Sequence, residues 1–141
     1  MTQSSELNYL MRSIQIKEQR LYTKKTVDYQ LSSSQARALI YIEAHPGANQ
    51  KDVADYFSLR GASTSTLIKK LEERGYVEKT PSRGSQDRSN RLSLTASGAE
   101  IAASLQTAFA DVENQLVNKL TPEEANTLIR LLSKIDQNLV E

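Results

Sequence analysis

A mainly α-helical fold with one small β-hairpin is what this sequence predicts, on three observations. Apolar residues recur at three- and four-residue steps along most of the 141-residue chain, the period of a helix that buries one side. One stretch alone breaks that rhythm. Tyr76-Val77-Glu78-Lys79-Thr80 and Arg91-Leu92-Ser93-Leu94-Thr95 read as short strands around a polar segment holding Pro81 and Gly84. Side chains able to cap a helix, namely Ser32, Asn49, Thr95 and Thr121, stand just ahead of apolar runs.

The first helix is expected over roughly residues 5–28, where Leu7, Leu10, Met11, Ile14 and Leu21 share a face. Ser32 followed by Gln35 forms a capping box opening a second helix through Leu39, Ile40 and Ile42. Pro46-Gly47 ends it. Asn49 caps a short third helix whose Val53, Ala54 and Phe57 face inward. A fourth runs from about Ala62 to Arg74 and stops at Gly75, suited to a left-handed C-cap. In the hairpin, Leu92 and Leu94 fall on one strand face and rest on the core, and the long polar loop suits a wing. Thr95 caps a long helix bearing Ile101, Leu105, Phe109, Val112, Leu116 and Leu120. Thr121-Pro122-Glu123-Glu124 then opens a last helix carrying Ala125, Leu128, Ile129, Leu132, Ile135 and Leu139. With no internal repeat or linker, residues 1–141 read as a single winged-helix domain. Terminal helices over about 1–30 and 96–141 flank a lobe over about 31–95, with the wing at 76–95.

Several function classes drop out on composition. The chain has no cysteine, which excludes disulfides and thiolate metal sites. Its single histidine, His45, stands at a helix end before Pro-Gly, and is read as capping rather than ligating. Glu72/Glu73 and Glu123/Glu124 are adjacent on helices and so diverge, which argues against an acid/base pair. No P-loop, nucleophile elbow or dinucleotide fingerprint appears. No apolar run approaches the roughly 20 residues of a membrane span, and no signal-peptide core leads the chain. The expectation is a cytoplasmic, non-enzymatic protein without metal or cofactor.

The net charge of +1 hides an uneven distribution. Residues 60–91 hold 8 basic side chains (Arg60, Lys69, Lys70, Arg74, Lys79, Arg83, Arg88, Arg91) and 4 acidic ones, a net of +4. Residues 96–141 hold 3 basic and 7 acidic, a net of −4. Positive charge concentrated on a helix and the hairpin after it is the footprint of a polyanion site. On a helical wheel of about 100° per residue, Leu67, Ile68 and Leu71 define the buried side of the fourth helix, with Thr64 beside them. The opposite side presents Ala62, Ser65, Thr66 and Lys69, with Ser63 and Lys70 at its margins. Small residues let a helix approach base edges, hydroxyls bond bases and phosphates, and lysines neutralise phosphate. A cap needs one hydroxyl, whereas this cluster spans more than one turn. In the wing, Arg83, Arg88 and Arg91 surround Gly84, and guanidinium groups on a hairpin tip can enter the minor groove. Arg83 is read as a DNA contact. Asp87 and Arg88 take a mixed structural role, since Asp87 can pair with an arginine to stiffen the hairpin while its neighbours are positioned for contact. A second reading stays open: a winged helix that binds another protein and touches DNA little or not at all.

LIKKLEERGYVEK (67–79) and DRSNRLSLTASG (87–98) resemble the MarR-type family, the multiple-antibiotic-resistance regulators with a winged helix-turn-helix, and the resemblance covers nearly the whole chain. It implies that residues 49–57 are the first helix of the helix-turn-helix and 62–74 the recognition helix. Two departures stand out. The family commonly places an acid two residues before the wing arginine, where this chain has Gln86 before Arg88 and the acid at Asp87. Many members have arginine near the position of Thr66, so no base preference carries over. The resemblance implies a homodimer held by the first and last helices, and the apolar stripes of those helices independently call for a partner. It further implies a repressor on a pseudo-palindromic operator with half-sites about 10 bp apart, released by a small, often aromatic or acidic compound. Pocket residues are not readable, and Tyr9 and Tyr22 are read as packing residues. Lacking cysteine, the chain stands outside the family's thiol-oxidising branch.

Overall fold

Local rules set most helix ends, and each leaves a measurable bond. The structure, a computed structural model, describes residues 1–57, 61–81 and 90–140, and of residues 61 and 62 the backbone alone. Its elements in order are α1 (Gln3–Thr26), a 3-10 turn (Val27–Tyr29), α2 (Ser33–Ala44), α3 (Gln50–Phe57), α4 (Gly61–Glu73), β1 (Val77–Thr80), β2 (Arg91–Leu94), α5 (Ala96–Val117) and α6 (Pro122–Asn138). Two compact units result, residues 1–109 and 110–141.

In the first unit, α2 opens with the expected capping box. The Gln35 amide donates to Ser32 Oγ at 3.1 Å and the Ser32 amide to Gln35 Oε1 at 2.9 Å. A second reciprocal box opens α3, where the amides of Asp52 and Asn49 each donate to the other's side chain at 2.9 Å. α4 closes on Gly75 with φ +76, the Gly75 amide bonding Glu72 O and the Tyr76 amide bonding Leu71 O. That pair of bonds is a Schellman turn, which requires a left-handed residue and so selects glycine. β1 and β2 pair antiparallel in the register Val77↔Leu94 to Thr80↔Arg91. The Leu92 amide also donates to Ala48 O at 2.8 Å, so the hairpin base is stitched to the segment leading into α3. Ala36, Leu39, Val53, Ile68, Leu71, Leu92 and Leu105 are wholly or almost wholly buried and form the centre of the core.

Differences from expectation are small and local. α1 begins earlier, because Thr2 Oγ1 accepts from the Ser5 amide, and it passes into a 3-10 turn before residue 28. Leu94, Ala54 and Phe57 are half-buried, since Leu92 and Val53 occupy the centre. α5 ends at Val117, which leaves Leu120 beyond it. Tyr22 is a packing residue, 3% exposed and 4.6 Å from Phe109 between ring centroids, but Tyr9 is 61% exposed.

Gly98 is a contact that periodicity does not reveal. A Cβ built there would run into the Tyr76 carbonyl. Alanine ordinarily gains about 0.5–1 kcal/mol over glycine inside a helix. At this position the backbone collision outweighs that gain. Gly98→Ala is expected to cost on the order of 1–3 kcal/mol, seen as a melting temperature several degrees lower.

In the second unit, the Thr121 cap and Pro122 open α6 as expected, and a return bond from the Thr121 amide to Glu124 completes a capping box, with distances of 3.1 and 2.9 Å. No residue of α6 is buried, and Leu128, Ile129, Leu131 and Leu132 are all exposed. No described helix is long and apolar enough to cross a membrane.

Candidate nucleic-acid interface

α3 and α4 pack against each other, and α4 is two-faced. Thr64, Ile68 and Leu71 are fully buried and Leu67 is 9% exposed, which fixes the rotation of the helix about its axis. The same rotation puts Ser63, Ser65, Thr66, Lys69 and Lys70 on the exposed side. With Ala62, whose side chain lies outside the described residues, these are the helix residues the wheel selected, and all five described ones are exposed. Lys79 Nζ lies 3.4 Å from Glu72 Oε1, so one acid at the end of α4 is neutralised from β1. Lys69 and Lys70 have no carboxylate partner among the described residues, which leaves their charge directed at solvent.

The hairpin residues divide. Arg91 is exposed at the base of the wing, but its Nη1 donates to Gly47 O at 2.6 Å. That bond ties β2 to the turn between α2 and α3, and nothing in the local sequence signals it. Arg83 and Arg88, with Gln86 and Asp87, lie outside the described residues.

Two further arginines join elements that periodicity treats separately. Arg37 of α2 sits over the Tyr22 ring at 4.3 Å and the Phe109 ring at 5.3 Å, linking α1, α2 and α5. Arg74, at the end of α4, donates to Gln30 O at 2.6 Å and Tyr29 O at 2.8 Å. The two acceptors lie 44 and 45 residues away in the sequence, so nothing local to Arg74 signals the bonds. His45 caps α2 through Nδ1, 2.9 Å from Tyr41 O, and stacks on the Tyr41 ring at 4.1 Å. Among the described residues, no group of three or more His, Cys, Asp and Glu side chains is placed to hold a metal ion.

Known proteins resemble this chain in both sequence and fold. The model of the MarR family matches residues 29–86, from the 3-10 turn through α4 into the wing. The HTH-type transcriptional regulator BilQ of Clostridioides difficile is 28% identical over 131 residues, 92% of this chain and 87% of that protein. SarZ of Staphylococcus epidermidis, another HTH-type transcriptional regulator, is 31% identical over 111 residues, covering 77% of this chain and 71% of its own length. Among solved structures, the S. aureus MepR–DNA complex superposes with a TM-score of 0.85 at 26% identity, covering 99% of both chains.

Proposed function

We infer the function from one premise: the chain belongs to the MarR family of winged helix-turn-helix transcriptional regulators. It is a DNA-binding regulator that acts as a homodimer, with α4 as its recognition helix. The observation that carries this is the division of α4 into a buried face and an exposed face of small hydroxyls and lysines. Ser63, Ser65 and Thr66 meet base edges and phosphates, and Lys69 and Lys70 meet phosphate. Arg83 and Arg88 of the wing reach the adjacent minor groove, and Arg91 supports the wing from its base. A twofold dimer sets the two recognition helices about 10 bp apart on a pseudo-palindrome. The reading as a protein-binding module is not favoured, because relatives spanning most of the chain are transcriptional regulators.

The finer reading is a cytoplasmic repressor without enzymatic activity, released by a small molecule. The Arg37–Tyr22–Phe109 cluster supports an effector-sensitive joint, since it links the DNA-binding lobe to α1 and α5. A compound releases DNA there only by binding one arrangement of that joint more tightly than the other.

Titration of duplex DNA at several salt concentrations tests the function. Affinity is expected to fall steeply with salt as counterions leave the phosphates. Lys69→Ala is expected to weaken binding to all sequences alike and to lower the salt slope by about one. A weak, salt-independent response would return the protein-binding reading to first place.

A further inference from the structure

Four elements meet where α4 ends. The Schellman turn at Gly75 closes the recognition helix, and Thr95 Oγ1 at the head of α5 donates to Gly75 O at 2.6 Å. Thr95 also accepts from the Gly98 amide at 3.0 Å, and the Tyr76 carbonyl is packed against Gly98. On the other side stands the connection between α1 and α2, a 3-10 turn followed by Gln30 in the left-handed region at φ 56. Two carbonyls of that connection face Arg74, and its guanidinium closes on both. The side chain also lies 5.4 Å above the Tyr76 ring. Charge-assisted bonds from a planar fork to two acceptors fix both distance and orientation.

We propose that Arg74 is a positioning residue that sets the recognition helix at a fixed angle to α1, and through it the spacing of half-sites the dimer accepts. The proposal rests on the functional reading above, in which α1 belongs to the dimer face and α4 enters the groove. α1 carries exposed Leu7, Leu10, Met11 and Ile14 on the surface assigned to the partner. The 3-10 turn and residues 30–32 are the connection from that helix to the lobe. Cα–Cβ packing of α4 on the lobe core sets its rotation, but the Arg74 fork is the described side-chain bond from the end of α4 to this connection. Without it the C-terminal end of α4 loses this tie to the connection, and the distance between the two recognition helices broadens.

The test uses the full-length dimer and an operator selected from a random duplex pool, then lengthened by 1 or 2 bp between half-sites. Wild-type protein is expected to lose about tenfold or more in affinity on the lengthened duplexes, because half-site spacing mirrors dimer geometry. Arg74→Ala and Arg74→Lys are both expected to cut that penalty to about threefold or less, with the salt slope and dimer mass unchanged. Lysine keeps the charge but lacks the fork, so it separates positioning from phosphate contact, and it serves as the folded comparison should the alanine variant melt early. An unchanged spacing penalty in Arg74→Lys overturns the proposal. So does an alanine variant whose salt slope drops by about one with full recovery by lysine, the mark of a phosphate contact. Failure of wild-type protein to select any duplex would instead sink the functional reading on which the proposal stands.

Discussion

Tryptophan in place of Ser65 or Thr66 is expected to abolish operator recognition while leaving the melting temperature and the dimer mass as they were. Both residues are exposed on the side of α4 opposite fully buried Ile68 and Leu71. Substitutions at such surface positions usually change stability by less than about 0.5 kcal/mol. Binding is another matter, because a recognition helix must lie close enough for its side chains to reach base edges. An indole on that face holds the backbone off and removes the base contacts of at least one turn. At about 1–3 kcal/mol for each good base contact, lost twice in a twofold complex, the penalty is roughly 2–6 kcal/mol. That corresponds to a fall in affinity of about 30-fold to more than 10,000-fold. Non-specific binding through Lys69 and the wing is expected to survive in part, so the ratio of operator to random-duplex affinity is the quantity to read. Variants that melt many degrees early would show that this face belongs to the protein interior, against the geometry proposed.

Much of this fold was legible because it is decided within a few residues. The box at Ser32–Gln35, the Thr121 cap and the left-handed Gly75 each depend on chemistry a few positions apart, and each appears with its bonds in place. The two faces of α4 follow from the position of Leu67, Ile68 and Leu71 in a 3.6-residue period, and burial agrees. What escaped reading is what the tertiary fold brings together. Arg74 and Gln30 are 44 residues apart, as are Arg91 and Gly47, and no local pattern announces either bond. Tyr22 and Tyr9 are both tyrosines of α1, yet Phe109 and Arg37 cover one and the other is 61% exposed. The wing arginines Arg83 and Arg88 carry a charge argument alone, since they lie outside the described residues.

Aspartate at both Leu128 and Leu132 is expected to convert the protein to a monomer and to cost at least about 100-fold in operator affinity. α6 is 17 residues long, and none of them is buried. A free helix of that length is marginal in water even with good propensity. Its capping box adds only about 1 kcal/mol, and Leu128, Ile129 and Leu132, at 45%, 60% and 40% exposed, form an apolar stripe that calls for cover. A second copy fits that need, because a twofold axis pairs each stripe with a self-complementary surface and closes the assembly. Full burial of a leucine is worth about 1.5–3 kcal/mol, and two positions altered in each of two protomers remove several times that amount. Charged side chains on such a surface add a desolvation cost of their own. Released protomers each meet one half-site, so operator affinity falls toward the non-specific level, which typically lies about 1,000-fold or more below specific binding. Sedimentation alongside operator titration reads both effects in one preparation. A double variant that stays dimeric and binds its operator normally would place the twofold contact elsewhere, and with it the spacing of the recognition helices.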